Sequence, residues 1–358
     1  MYIKEQTFFV LGVSKSGFAA AEYILKKGGK CYFYEELKSD KILASEKTLA
    51  EHGAMEVTKD TLDAALEASD TLIISPGVPI NHAVAVKAKA LGKRITGELE
   101  FGFEAVAPVI VAITGTNGKT TTASLLKAVF DAAKIKSALV GNVGVPVSSV
   151  IGDADADSVF VTEVSSFQLE SVKAFKPHVS CVLNVSPDHL ERHYTMENYI
   201  FLKKRIFKNQ TESEYAVLNF DDQTVRSFYT EIKAKTLWVS VKERVDGAYY
   251  ENGAFMFRGE IVAGEEALPL SGEHNIYDAL FAIAAAKLFG VDNRTIARAF
   301  KDFRGVPHRT ELVCEKNGVR FYDDSKATNT ASCITAIKTM TRPTVLILGG
   351  SEKGEKYD

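Results

Sequence analysis

The residues best able to do chemistry lie in Gly115-Thr116-Asn117-Gly118-Lys119-Thr120-Thr121, between an apolar run and a helical pattern. At such a strand-to-helix turn, backbone N–H groups and the helix dipole can hold a triphosphate. Lys119 would then reach the β- and γ-phosphates, and Thr120 or Thr121 would meet Mg2+. Ile113 stands where the first glycine of G-x-x-x-x-G-K-[ST] belongs, so the loop departs from the general phosphate-loop form. An ordinary glycine turn is the competing reading.

Glu163 and His189 each follow a predicted strand, which would bring both to the carboxyl edge of one sheet beside that loop. A carboxylate there suits Mg2+; the plainer alternatives are a solvated loop carboxylate and a hydrogen-bonded structural histidine. Lys203 lies in the helix-compatible run Tyr199 to Ile206, where a solvated basic face is the simple reading. Gly12-Val13-Ser14-Lys15-Ser16-Gly17 follows the first strand without the middle glycine of a dinucleotide fingerprint, and Glu35 and Glu36 end the second. That pattern leaves NAD open as a ligand of the first unit. Ser75-Pro76-Gly77 is a turn where a parallel strand gives way to a ligand-side loop.

The elements that must position these residues follow an α/β order. Thr7 to Gly12, a helix over Phe18 to Leu25 and a strand over Cys31 to Tyr34 predict a doubly wound, Rossmann-like N-terminal unit over 1–95. Val109 to Ile113, Val159 to Val161 and Val179 to Leu183 predict a central, P-loop-type parallel sheet. Tyr215 to Leu268 is more β-rich, and an Ala-rich helix over His274 to Phe289 precedes a boundary near Phe303. The central ATP-binding unit is thus expected over 96–303. Residues 304–358 are expected to begin a third Rossmann-like unit, with Thr344 to Gly350 as a buried strand.

Hydrophobic residues make up 46% of the chain and charged residues 25%, which excludes a disordered protein. A formal net charge of -3 gives no global case for nucleic acid or an anionic membrane, so any anion site must be local. Cys31, Cys181, Cys314 and Cys333 are scattered, with no CxxC pair, and are expected as reduced core residues. No apolar run approaches the ~20 residues of a membrane helix, and the charged N-terminus lacks a signal-peptide pattern, making the cytoplasm the expected location.

The T-G-T-N-G-K-T-T loop resembles that of the Mur ligases and the related folylpolyglutamate synthetases. The resemblance extends through Gly141-Asn142-Val143-Gly144, the string from Glu163 to Glu170, Asn184-Val185-Ser186-Pro187-Asp188-His189, His274-Asn275, Pro307-His308-Arg309 and Asp324-Ser325-Lys326-Ala327-Thr328-Asn329. Together, in order and spacing, these strings are specific, and two of them look most like the D-glutamate-adding branch.

The resemblance implies ATP-driven joining of D-glutamate to UDP-N-acetylmuramoyl-L-alanine through an acyl phosphate, by a monomer with no nucleic-acid or membrane partner. It implies two Mg2+ ions held by Thr120, Glu163, His189 and a carbamylated Lys203, with Lys119, His189 and Lys203 as catalytic residues. Gly115 to Thr121, Asn275, Arg309 and Asp324 would contact the nucleotide. Lys15, Ser16, Glu35, Glu36, Ser75, Pro76, Gly77, Asn142, Ser165 and Gln168 would lie on the UDP-substrate side, and Lys326, Thr328 and Lys353 would hold D-glutamate. Asp278 stands where the pattern has a second helix asparagine, which puts that contact in doubt. The last unit is expected to be cut short, with ligation absent or severely reduced and with exposed apolar surface around Val345-Leu346-Ile347-Leu348.

Overall fold

The computed structural model describes residues 2–155 and 157–350. Two parallel-sheet layers carry the site. The first sheet has the order β3-β2-β1-β4-β5, formed by β1 (Thr7–Leu11), β2 (Lys30–Tyr34), β3 (Met55–Glu56), β4 (Thr71–Ile74) and β5 (Arg94–Gly97), with every pair parallel. Its central strands are apolar runs because helices cover both faces: Phe8, Phe9 and Val10 have no exposed surface. The expected boundary at residue 95 falls inside β5.

The second sheet contains nine strands in the order β14-β13-β12-β11-β10-β9-β6-β8-β7. They are β6 (Val109–Thr114), β7 (Ser137–Gly141), β8 (Val159–Glu163), β9 (Val179–Val182), β10 (Tyr215–Asn219), β11 (Lys235–Ser240), β12 (Gly247–Glu251), β13 (Ala254–Phe257) and β14 (Glu260–Gly264). β7 to β12 run parallel, whereas β12, β13 and β14 form an antiparallel meander. Since β6 lies between β8 and β9, the loops after all three open at one sheet edge. The helices Lys119–Ala132 and Glu273–Leu288 pack into one core on this sheet, where Leu125, Leu126, Phe281 and Ile283 are fully buried.

A second core joins the two layers, uniting Phe8, Ile24 and Phe33 from the first unit with Ile110, Phe160 and Phe175 from the second. Phe101, in the connecting helix Glu98–Val106, meets Phe8 and Tyr23 edge-on at centroid distances of 5.7 and 6.1 Å. Among the described residues, no helix is long and apolar enough to cross a membrane.

The segment after residue 303 departs from expectation. β15 (Glu311–Lys316) and β16 (Val319–Asp323) form an antiparallel pair, followed by the helix Thr330–Thr339. The buried strand expected over Thr344 to Gly350 is not formed: Val345 is 92% and Ile347 91% exposed. Apolar character favours burial, but a parallel strand also needs a neighbour's N–H and C=O groups, and this segment pairs with no strand among the described residues. Cys31 and Cys181 are buried as expected; Cys314 is exposed on β15 and Cys333 half-buried, so neither is a core residue.

The Gly12 turn packs without spare room. Gly12 has φ +85°, Ser75 Oγ donates to its carbonyl at 2.7 Å, and a Cβ added at Gly17 would lie 1.8 Å from that same oxygen. Gly17→Ala should therefore push the first helix off the sheet and cost at least about 2 kcal/mol in denaturant unfolding; a loss below about 0.5 kcal/mol would contradict this packing.

Candidate active site

The phosphate loop is a tight turn from β6 into the helix Lys119–Ala132, and its N-cap Gly118 has φ +85°. Nothing larger fits there, because a Cβ would meet Asp278 Oδ1 at 2.3 Å. Asn184 clamps the loop from the end of β9: its Oδ1 accepts from Asn117 N at 2.9 Å, and its Nδ2 donates to Asn117 O at 3.1 Å. Thr116 Oγ1 donates to Ser186 O at 3.0 Å and lies 3.2 Å from Tyr199 Oη. From the third segment, Ser332 Oγ and Asn329 Nδ2 donate to Asn117 Oδ1 at 2.8 and 3.3 Å.

Lys119 Nζ donates to the carbonyls of Gly115 at 2.9 Å and Thr116 at 2.7 Å, holding the ammonium inside the loop. Lys203 Nζ donates to the same Gly115 oxygen at 2.9 Å. Lys203 is 1% exposed, in the helix Met196–Lys204, and its amine lies 4.5 Å from the Tyr199 ring centre. Burial first, and then the Lys119 charge, push Lys203 well below the usual lysine range, while Asp188 acts in the opposite direction. Burial likewise lowers Lys119, against attraction from Glu163 and Asp188. The solvated-face reading of Lys203 fails; its neighbour Lys204 instead pairs with Glu231.

Glu163, the last residue of β8, is 2% exposed. Its Oε2 accepts from Thr120 Oγ1 at 2.8 Å and its Oε1 from Asn142 Nδ2 at 2.7 Å. A carboxylate touching a hydroxyl at the phosphate loop is a hard oxygen donor set, which fits Mg2+. His189, with φ +54°, lies at the start of the turn Leu190–His193, near Asp188 and Glu191 at 3.7 and 3.4 Å, and packs on Phe167.

A cavity of about 330 Å3 opens beside the loop between Asn117, Gly118, Thr121, Asp278, Arg309 and Asp324. Arg309 and Asp324 thus join the loop, with Arg309 Nε buried and unpartnered. Asn275 turns away and donates to Ser271 O at 2.7 Å. Asp278, 3% exposed, accepts from Thr122 Oγ1 at 3.0 Å. Burial raises its carboxyl to about 7, against the Thr122 hydrogen bond and the Arg309 charge.

Several residues expected on the UDP-substrate side are engaged in structure-holding bonds. Lys15 Nζ donates to Gly144 O. Glu35 accepts from the backbone of Val13 and Leu37, and Glu36 lies 3.3 Å from His82. Ser165 and Gln168 form a capping box at the helix Ser166–Leu169. Ser75, Pro76 and Gln168 nevertheless line a small cleft between the two layers, whereas Gly77 accepts from Arg192 Nη1 through its carbonyl. Ser16 is half-buried at the Gly12 turn, Lys326 is half-buried with its N–H on His308 O, and Thr328 is exposed. Lys353 lies outside the described residues. Asn184, Tyr199, Asn329 and Ser332 were not singled out from sequence, although Asn184 opens one of the quoted strings and Tyr199 stands four residues before Lys203.

Comparison with known proteins agrees with this geometry. A family model described as the Mur ligase middle domain matches residues 113–286. UDP-N-acetylmuramoylalanine--D-glutamate ligases from Caldanaerobacter subterraneus subsp. tengcongensis and Lachnospira eligens are each 38% identical across 100% of this chain, which spans 80% and 81% of their lengths. Among solved structures, the UDP-N-acetylmuramate-alanine ligase of Thermotoga maritima matches with TM-score 0.61 at 19% identity, over 93% of this chain and 77% of that one. The MurF ligase of the same organism, in complex with ADP, matches with TM-score 0.55 at 20% identity, over 87% and 71%. Those two likenesses are of fold. The chain belongs to the Mur ligase family, a family of ATP-dependent ligases.

Asp278 gives a pH test. With its carboxyl raised from the ordinary 3.8 to about 7, the folded state binds a proton that the unfolded chain has released. Its contribution to stability is fully present below pH 4, is lost as pH rises to about 7, and is flat above. Thermal unfolding should show Asp278→Asn gaining on the parent over that window, by up to roughly 4 kcal/mol. An advantage that does not change with pH would refute the assignment.

Proposed function

We propose that this chain joins D-glutamate to UDP-N-acetylmuramoyl-L-alanine with ATP. The observation carrying this reading is the 38% identity to D-glutamate ligases along the whole chain, joined to a loop on which two lysines converge. Residues 1–95 would hold the UDP moiety and 96–303 Mg·ATP, and the segment from 304 would bring in the amine. The reading carries with it a cytoplasmic monomer without nucleic-acid or membrane partners.

The substrate's terminal carboxylate oxygen attacks the γ-phosphorus, and the bond to the bridging oxygen breaks, releasing ADP and leaving an acyl phosphate. The D-glutamate amine then attacks the carbonyl carbon and loses a proton, and the tetrahedral adduct expels phosphate. Little covalent work falls to side chains, so positioning and charge dominate. Lys119 would leave the loop carbonyls for the phosphate oxygens, with loop N–H groups beside it. Thr120, Glu163, His189 and Lys203 are the residues that would hold two Mg2+ ions. Mg2+ supplies neutralisation of the charge on the transferring phosphoryl group. Arg309 and Asp324 would face the nucleotide, and Lys326 the incoming amino acid.

For Lys203, the uncharged amine favoured by its surroundings is the form that adds CO2: the nitrogen bonds to carbon, one proton leaves, and a carbamate anion replaces the neutral amine. That change supplies the oxygen ligand a lysine otherwise lacks.

ATP consumption should require UDP-N-acetylmuramoyl-L-alanine and rise with D-glutamate, but not with L-alanine or a diamino acid. Consumption indifferent to the UDP substrate, or driven by another amino acid, would overturn the reading. Lys119→Ala should lose at least about 10²-fold in that assay with its fold intact; turnover at the parental rate would remove Lys119 from the mechanism. Lys203→Ala should be nearly inactive and partly restored by a short carboxylic acid. A variant fully active without added acid would exclude the carbamate.

A further inference from the structure

One guanidinium ties the two layers together through residues that line the cleft. Arg192 donates from Nε and Nη2 to the two carboxylate oxygens of Glu170 at 3.2 and 2.7 Å. Its outer nitrogens also reach the first unit, with Nη1 3.5 Å from Gly77 O and Nη2 3.2 Å from Val78 O. Both partners are largely withdrawn from water, at 15% and 11% side-chain exposure, so this is not a solvated surface pair. The planar fork makes all four of these hydrogen bonds at once, one more than a lysine's three N–H groups can supply.

The contacts continue inward. The Arg192 guanidinium carbon lies 4.7 Å from the Phe167 ring centre, and that ring packs against His189 at 4.9 Å and His193 at 5.2 Å. His193 stacks on Tyr199 at 5.3 Å and 28°, and Tyr199 Oη lies 3.2 Å from Thr116 Oγ1 in the phosphate loop. A continuous run of packed side chains therefore spans from the loop after β4 to the loop after β6. Val78, Phe167 and Glu170 also line the cleft between the layers.

We infer that Arg192 is a positioning residue that fixes the distance between the UDP end and the carboxylate end of the bound substrate. The inference rests on the proposed function, in which one ligand is anchored in the first unit and reacts at the phosphate loop. Such a ligand gains from both ends only if the two loops stand at its own length. Arg192 sets that spacing by gripping the backbone at 77–78 from the central unit. UDP alone touches one end and is indifferent to it.

The test compares calorimetric affinities of the parent, Arg192→Ala and Arg192→Lys for three probes: UDP, UDP-N-acetylmuramoyl-L-alanine and Mg·ATP. In the parent, the full substrate should bind tighter than UDP. In Arg192→Ala, that advantage should shrink about tenfold, while UDP and Mg·ATP each stay within about twofold of the parent. Arg192→Lys should fall on the same side, keeping less than half of the advantage in fold terms, because an ammonium's three N–H groups cannot make all four bonds in the fork's geometry. Glu170→Gln serves if Arg192→Ala does not fold, with the same selective loss expected. An unchanged advantage in these variants, or an equal loss for all three probes, would overturn the positioning role. A parent that binds UDP no more weakly than the full substrate would instead overturn the function on which it rests.

Discussion

Two lysine side chains share a single backbone oxygen, and the site is organised around that crowding. Lys119 and Lys203 each lie 2.9 Å from Gly115 O, so no more than about 6 Å separates their nitrogens. Two ammonium groups at that spacing repel by about 3 kcal/mol at an effective dielectric of 20, before the cost of burying either. The carboxylates of Glu163 and Asp188 offset part of this, yet the local balance still favours losing a proton or acquiring an anion. In the proposed function a triphosphate would answer that demand at Lys119, and a carbamate at Lys203.

Holding the loop rigid under such strain takes partners from every side. Asn184 fastens Asn117 through both its backbone groups, and Thr116 is fixed by Ser186 and Tyr199. The third segment also reaches the loop, since Asn329 and Ser332 both donate to the Asn117 side chain. The cavity beside the loop is therefore walled by two parts of the chain, with Asp278 on the central helix and Arg309 and Asp324 beyond it. Movement of the third segment would change the cavity and the phosphate loop together.

The first unit is joined to the central one more firmly than the third. A common apolar core runs between the first two, reinforced by the Phe101 ring contacts. The β15–β16 pair exposes Leu312, Val313, Val319 and Phe321, and the bonds from the following helix to the phosphate loop, through Asn329 and Ser332, are polar. Apolar burial scales with area removed from water, so these links should open at lower free energy than the shared core. In the proposed function, a third segment that brings in the amine would benefit from that difference, because closure would exclude water from a reactive acyl phosphate.

Much was determined by sequence alone. Unbroken apolar runs such as Val109 to Ile113 announced parallel strands buried on both faces, and Gly118-Lys119-Thr120 after one of them announced an anion site, because these signals act over a few residues of backbone. The quoted strings also carried the family. Other features depended on groups distant in the chain. Periodicity could not distinguish buried Lys203 from its neighbour Lys204, since that choice is made by Gly115, 88 residues away. Ser165 and Gln168, expected on the substrate side, also cap a helix, and Asn275 bonds its own preceding turn, pairings that only the folded chain reveals. Thr344 to Gly350 had the composition of a core strand without a pairing edge, and composition does not supply one. Local sequence sets what a segment prefers; only the packed neighbours decide which buried polar groups find partners and which charges must face one another.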